Sequence, residues 1–590
     1  MPIIMSDWHC ILNPEIDEPL LYREQPINPQ KKNSIHLGGV YNSFYPYDWH
    51  KIADSISFQC LVKGALRNVG ITIFLHTPNA AATMLGQLET NKCAEQAELT
   101  LQDFNLVPGQ RLTCQIESDS IIDLESIDWT ALSVKKNHVK LGIVICTYNN
   151  ETRLKENIEA LVTSDVWHEQ KPVLILANNG NIQDDSWLPQ DRFVKFDQQN
   201  LGGSGGFGRG IYEVVYGQLQ EQGITHILLM DDDVKFHPEV ISRAIAFHKK
   251  SLQPVVIGGS MLKLEDPTWL HEAGANLSSI RKLGISTKVP AGPIGQTGAL
   301  DFLGRAAQHD YNAWWFCSFP VDAVKTVGLP LPLFIHGDDI EYGTRLKANG
   351  FPTYCPGGIS LWHESFENKR LTWIRYFDSR NALIRLTIQG ANKKKHIIKQ
   401  VDRLFQRYIM KNDYGACAML IEAYKDFCAG PDVLRASHFQ SQIGELIQLH
   451  STFTYSLTSR SYQKKVEASE IKKPNKWQRL LKRLTTNMCY FRGAARTLWS
   501  SSNTRYTWWS IPYYADIMIT NNEATYFLPR DFIVARDLSN KFNDLTKQNA
   551  SNMNHIIHEW REHLHTYTKP DFWRDYCKVA DDKSEASSSS

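Results

Sequence analysis

The chain has 590 residues, enough for about three or four domains at roughly 100–200 residues each. A hydrophobic fraction of 42% suits several packed cores, and a formal net charge of +1 excludes the basic excess of a nucleic-acid-binding protein. The 11 Cys are irregularly spaced without a C-x-x-C pair, which excludes a disulfide framework or zinc ribbon and points to a reducing compartment.

In chain order, Met1 to Glu15 lacks a positive start followed by an apolar run, so no secretory leader is expected. No stretch approaches the roughly 18 apolar residues of a membrane span. Residues 1–135 read as a β-sandwich and a candidate carbohydrate-binding unit. Ile56–Val62 and Gly70–Leu75 have strand composition, and Glu98–Leu101 and Arg111–Ile116 alternate with period two.

From Leu141 the pattern changes. Apolar strands at Leu141–Cys146, Pro172–Ala177, Ile224–Met230 and Pro254–Gly259 are separated by helical or loop segments such as Thr152–Val162. Such alternation predicts a mostly parallel α/β sheet covered on both faces, over residues 136–390, with ligands beyond the carboxyl ends of its strands. After about Leu371 the chain reads as helical, with Trp373–Gln389 and Lys394–Met410 as long periodic segments, and residues 391–580 are expected to form a C-terminal helical region. Within that region Lys472–Trp499 holds eight Lys or Arg and no acid. Trp477, Leu480, Leu481 and Leu484 share one face of a predicted helix edged by Lys476, Arg479, Lys482 and Arg483, the pattern of an interfacial helix on an anionic bilayer. Packing of that face on the rest of the protein is the alternative. The Ser-rich tail, 581–590, is expected to be disordered.

Five segments carry chemistry. Asp231-Asp232-Asp233 ends an apolar strand, where Asp231 and Asp233 can converge on a hard divalent cation, Mn²⁺ or Mg²⁺; a solvated acidic turn is the bland alternative. Asn200 to Gly210 is a Gly-rich turn entering a helix, suited to close approach of an anion, or simply a connection. Asp338 and Asp339 open a predicted helix beside His336 and Glu341; a cap explains one acid, and Asp339 is the candidate general base. His363 in Leu361-Trp362-His363-Glu364 is a candidate third metal ligand or a structural His. Trp314 and Trp315 are expected in a strand, so at most one of them should face a ligand.

Taken in order, these segments resemble the inverting GT-A glycosyltransferases of family two, and within them the bacterial galactofuranosyltransferases. The similarity runs through Ile143–Asn150, the loop Asn200–Gly206, Asp231–Asp233, Trp314-Trp315, Asp338-Asp339-x-Glu341 and Trp362-His363. It implies an N-terminal β-sandwich, a GT-A domain and a C-terminal helical region. It implies that Asp231, Asp233 and His363 hold the metal and that Asp339 is the catalytic base. Donor contacts would come from Thr147, Asn149, Asn178, Asn200, Gly202, Gly203 and Asp232. Acceptor contacts would come from Trp314, Trp315, Asp338, His271 and Glu272. The donor implied is UDP-galactofuranose. The acceptor is a lipid-linked glycan of bacterial O-antigen, capsule or galactan assembly, met by a cytoplasmic enzyme peripheral to the inner face of the plasma membrane. A homo-oligomer is compatible with this picture. The opening turn departs from the family at Cys146 and Asn150, where Pro and Arg are usual, and the second strand ends Asn178-Asn179 rather than Asp-Asn. Rival readings are the same fold using a rhamnosyl, glucosyl or galactopyranosyl donor, and a carbohydrate-binding scaffold without turnover. A nucleotidyltransferase would need a basic Gly-rich loop at the first strand, and Thr147–Asn150 is not one.

Overall fold

A computed structural model describes residues 7–12, 19–27, 30–90, 94–133, 135–182, 184–277, 285–286, 291–365, 373–390, 393–435, 439–453, 465–467, 497–501, 516–520 and 525–578. The N-terminal strands build two antiparallel sheets. One has the order Trp8–His9, Asp123–Leu132, Ser57–Leu66, Ala94–Leu101; the other runs Arg23–Glu24, Asn33–Leu37, Arg111–Ser118, Val69–His76, Thr83–Thr90. Period-two patterning explains them: along Ser57–Leu66, Phe58, Cys60, Val62 and Leu66 are buried while Ala65 is exposed. Their inner faces share one core with the strands that follow. Trp49 stacks on Phe247 with ring centroids 3.9 Å apart, and the Tyr41 hydroxyl donates to the Ser360 carbonyl at 3.1 Å.

The central sheet has eight strands in the order Phe193–Asp197, Val173–Asn178, Leu141–Thr147, His226–Asp231, Cys317–Pro320, Val256–Gly258, Thr353–Tyr354, Gln308–His309. The first four are parallel, and Cys317–Pro320 is antiparallel to both its neighbours. Leu141–Thr147 and Val173–Asn178 are near-continuous apolar runs because helices cover both faces. Register sets Thr147 opposite Asn178 and Cys146 opposite Asp231, so the polar ends of three strands meet at one edge. A smaller sheet, Gly292–Pro293, Trp269–Glu272, Ser260–Lys263, Ser360–His363, continues from Gly259 beside that edge.

Beyond this sheet the helix Ile374–Gln389 packs against Tyr414–Ala429, flanked by Lys394–Met410 and Phe532–Ala550. The region after residue 391 is not wholly helical. Lys465–Glu467, Thr497–Ser501, Asp516–Thr520 and Thr525–Pro529 pair as a four-stranded sheet, as β-branched and aromatic residues such as Ile517, Ile519, Tyr526 and Phe527 favour. The basic helix expected over Lys472–Trp499 lies mostly outside the described residues, and its last three residues, from Thr497, belong to a strand. The 581–590 tail lies outside them too. No helix among the described residues is long and apolar enough to cross a membrane.

Candidate functional site

The strand His226–Asp231 delivers the acidic triplet to the carboxyl edge of the sheet and stops there; Asp232 and Asp233 form a turn. The three carboxylates do not act alike. The Asp232 carboxylate turns toward the opening strand and accepts the Thr147 hydroxyl at 2.5 Å, while its carbonyl accepts the Asn157 amide at 3.1 Å. Asp231 and Asp233 face His363 instead. The His363 Nε2 lies 3.1 Å from the Asp233 Oδ1 and 4.0 Å from the Asp231 Oδ2, and one ligand atom from each of the three residues falls within 4.8 Å of the others.

His363 reaches the acids through a backbone bridge. Lys235, two residues past Asp233, exchanges both main-chain hydrogen bonds with Trp362 at 2.8 Å each. The His363 ring is then oriented by its Nδ1, which sits 2.7 Å from the Glu364 carbonyl. A carbonyl only accepts, so Nδ1 carries a proton; Nε2 faces the two carboxylates, and although burial opposes it their charges, Asp233 first, raise the His363 pKa on balance. With Nε2 deprotonated, the imidazole and the two carboxylates form a candidate cation site. Burial, then Asp233, pushes the Asp231 pKa up to about 7, and this donor set of two carboxylates and an imidazole fits Mn²⁺ or Mg²⁺.

The second pair of acids comes from a strained turn. Phe334, His336 and Gly337 have φ of +72°, +62° and +85°, immediately before the helix Asp338–Ala348. Non-glycine residues in the left-handed region cost on the order of 1–3 kcal/mol each and persist only where their surroundings enforce them. Here Asn381, buried on the helix Ile374–Gln389, donates its amide to the carbonyls of Leu333, Ile335 and His336 at 3.1, 2.9 and 2.7 Å. The turn aims Asp338 and Asp339 into a cleft of about 700 Å³ that also receives Asp231, Asp233 and His363. Burial, reinforced by Asp339, raises the Asp338 pKa to about 7, and burial raises that of Asp339 to about 6. Glu341, by contrast, forms a two-pronged ion pair with Arg345 at 2.8 and 2.9 Å and belongs to the helix's own packing.

Glu272 enters the same cleft from the strand Trp269–Glu272, its pKa pushed up to about 7 by burial and by Asp339. His271 does not line the cleft, because adjacent strand residues point to opposite faces. Trp314 and Trp315 both line it. The strand begins only at Cys317, so the pair sits in a turn and period-two alternation does not separate them. The Trp315 indole donates to the Gly259 carbonyl at 2.9 Å, and Trp314 packs edge-on against Phe207 with centroids 5.3 Å apart.

Of the donor candidates, Asp232 and Gly203 line the cleft; Thr147, Asn149, Asn178, Asn200 and Gly202 lie outside its lining. Asn178 donates to Asp197 at 2.7 Å, Asn149 accepts the Asn181 amide at 3.2 Å, and Asn200 accepts the Gly202 amide at 3.0 Å. Most of the Gly-rich segment is not a loop. The helix Gly202–Val215 starts inside it, and its glycines allow close packing: a Cβ at Gly210 would meet Val144 at 2.2 Å. Sequence reasoning missed Tyr311, Asp378, Asn381 and Arg385, all of which line the cleft. Only Asn381 left a signal, a polar residue four after Phe377 and three before Ile384 on an otherwise apolar helix stripe.

Residues 138–377 match the family model described as glycosyltransferase like family 2. The chain is 28% identical over 434 residues to the galactofuranosyltransferase GlfT2 of Mycobacterium tuberculosis, covering 68% of this chain and 66% of that protein. It is 27% identical over 381 residues to the GlfT2 of Mycolicibacterium smegmatis, covering 61% of this chain and 58% of that protein. The chain thus spans less than two thirds of the length of these relatives. A mannosyltransferase from Pyrobaculum calidifontis in complex with GDP-Man and Mn²⁺ aligns at 9% identity and a TM-score of 0.31, over 54% of this chain and 87% of its own. The matched span holds the acidic strand, the His363 bridge and the Asp338–Asp339 turn, so the candidate site lies inside the region similar to glycosyltransferase like family 2.

Proposed function

We propose that this chain is an inverting, divalent-metal-dependent glycosyltransferase that moves galactofuranose from UDP-galactofuranose to a hydroxyl of a lipid-linked glycan acceptor. The observation that carries the reading is the meeting of Asp231, Asp233 and His363 with Asp339 and Glu272 in one cleft. The similarity to two galactofuranosyltransferases supports the choice of donor.

Asp339 takes the proton of the acceptor hydroxyl as that oxygen attacks the anomeric carbon. The bond from that carbon to the diphosphate breaks on the opposite side, so the configuration inverts. Asp339 suits the task because a pKa near 6 leaves it ionised, yet basic enough to accept a proton, at neutral pH. Asp231, Asp233 and His363 would hold Mn²⁺ or Mg²⁺, which supplies positive charge to the departing diphosphate. Glu272, Tyr311 and the Trp314–Trp315 turn would orient the acceptor and keep water from competing. Thr147 holds Asp232 at the edge where the donor's nucleotide would lie. Residues 1–135 would form a carbohydrate-binding unit, and the basic segment from Lys472 would dock the enzyme on an anionic membrane, bringing it to a lipid-linked acceptor at the cytoplasmic face.

The test is release of the donor's nucleoside diphosphate (UDP, or dTDP from the last) by the purified chain with UDP-galactofuranose, UDP-galactose, UDP-glucose and dTDP-rhamnose, each with synthetic galactoside acceptors. Acceptor-dependent release from UDP-galactofuranose alone is expected. Preference for another donor would replace the sugar, and release from none would leave a binding scaffold.

A further inference from the structure

The turn carrying Asp338 and Asp339 is held from two sides. On one side, the Phe334 carbonyl accepts the Ser204 amide at 3.0 Å, and the Ser204 hydroxyl donates to the Leu331 carbonyl at 2.6 Å while accepting the Leu333 amide at 3.0 Å. Ser204 belongs to the helix that begins at Gly202, and the Gly202 carbonyl accepts the Asn179 amide at 2.9 Å. One face of the turn is thereby tied to the ends of the sheet strands. On the other side stands Asn381, with an NH₂ group that reaches three carbonyls of the turn, joined by the Arg380 guanidinium on the Leu333 carbonyl at 2.9 Å.

Asparagine is a poor helix residue, and a buried amide without partners is costly, so its presence inside the helix Ile374–Gln389 calls for an explanation beyond helix formation. Within its own helix only the amide oxygen finds a partner, and the NH₂ group is turned outward to the turn. The Asn381 Oδ1 accepts the Arg380 Nε at 3.0 Å, which fixes which end of the side chain faces the turn. A hydrogen-bond donor at this place serves the Ile335 and His336 carbonyls and adds to the Ile335 amide that already reaches the Leu333 carbonyl at 3.1 Å.

We infer that Asn381 is a positioning residue: it holds the Phe334–Gly337 turn in its left-handed path, and so sets where the Asp338 and Asp339 carboxylates stand in the cleft. The inference rests on the proposal that Asp339 is the base. Asn381 contacts the backbone of the turn, so its loss should disturb the transfer step more than binding of the nucleotide, whose proposed metal ligands lie on other strands.

The test compares Asn381→Leu, which keeps the volume and loses the donors, with Asn381→Gln, which keeps an amide. With UDP-galactofuranose and acceptor, kcat of Asn381→Leu is expected to fall by about 10–100-fold while affinity for UDP with Mn²⁺ changes less than about threefold, with partial recovery in Asn381→Gln. Hydrogen–deuterium exchange followed by mass spectrometry gives a readout independent of activity. Residues 333–341 should exchange faster in Asn381→Leu, with the sheet strands unchanged. Unchanged exchange at 333–341, or an equal loss of UDP affinity and kcat, would overturn the inference. A wild-type chain inactive on every donor, with faster exchange at 333–341 in the variant, would sink the catalytic reading and leave the hold on the turn standing.

Discussion

Lys235 and Trp362 exchange both of their backbone hydrogen bonds, at 2.8 Å each, although they lie far apart in the chain and Lys235 belongs to no strand. That bridge puts His363 beside Asp233 with no side-chain contact needed to bring them together. Lys235→Pro removes the amide that donates to the Trp362 carbonyl. It should weaken Mn²⁺ binding by about 10–100-fold, the usual cost of disturbing the groups that orient a metal ligand. Calorimetric titration with Mn²⁺, on variant whose melting temperature is preserved, checks this.

Asp231→Ala, Asp233→Ala and His363→Ala should each abolish most turnover, and excess EDTA should do the same to the wild type, restored by Mn²⁺ or Mg²⁺. Full activity in excess EDTA would remove the metal from the mechanism. The related cluster of Glu24, His36 and His76 should not bind Mn²⁺. There the Arg111 guanidinium already pairs with Glu24 and lies 3.2 Å from the His76 Nδ1, and both histidines share the Thr113 hydroxyl.

Asp339→Asn keeps the shape of the turn but cannot take a proton. Transfer should drop by about 10²–10⁴-fold with UDP affinity retained. The pH profile of the wild type carries the same information. A base with a pKa near 6 is active as the anion, so kcat/KM should fall by about tenfold per unit as pH drops below 6. A profile flat from pH 5 to 8 would count against Asp339.

Asp338 makes a stability prediction of opposite character. Burial and Asp339 raise its folded pKa to about 7 from an ordinary 3.8, so the folded chain prefers the protonated form. The stabilisation from that proton is fully present below the unfolded pKa and is lost as pH rises through the folded one. In EDTA, Asp338→Asn should therefore be more stable than wild type at pH 8, by on the order of 1–4 kcal/mol, with the difference vanishing near pH 4. Melting curves at the two pH values decide it.

Gly202→Ala and Gly203→Ala should behave differently. At Gly202 φ is +70° and an added Cβ would lie 2.2 Å from the Phe334 carbonyl oxygen; at Gly203 the nearest atom is the Asp338 Oδ2 at 3.8 Å. The first substitution should destabilise by about 2 kcal/mol or more and impair transfer through the acidic turn, and the second should leave the melting temperature near wild type. Equal melting curves for the two variants would show that the close approach at Phe334 is not maintained in solution.

The amino-acid sequence by itself determined the elements whose cause is local. Apolar runs made Leu141–Thr147 and His226–Asp231 buried strands, and their polar ends, Thr147 and Asp231–Asp233, were legible as the ligand edge because strands in such a sheet end where helices begin. Tertiary structure decided what depends on register and on partners distant in sequence. Periodicity allowed His363 on either side of the smaller sheet, and pairing of Trp362 with Lys235 chose the acids. It gave Trp314 and Trp315 opposite faces, but their strand begins too late and both reach the cleft. Composition made Asn200–Gly210 a Gly-rich turn entering a helix; the structure starts that helix at Gly202 and packs it against Val144 and Phe334. Asn381 shows the limit most sharply: a polar residue on an apolar stripe is visible in the sequence, but the three carbonyls it serves are assembled only when the chain folds.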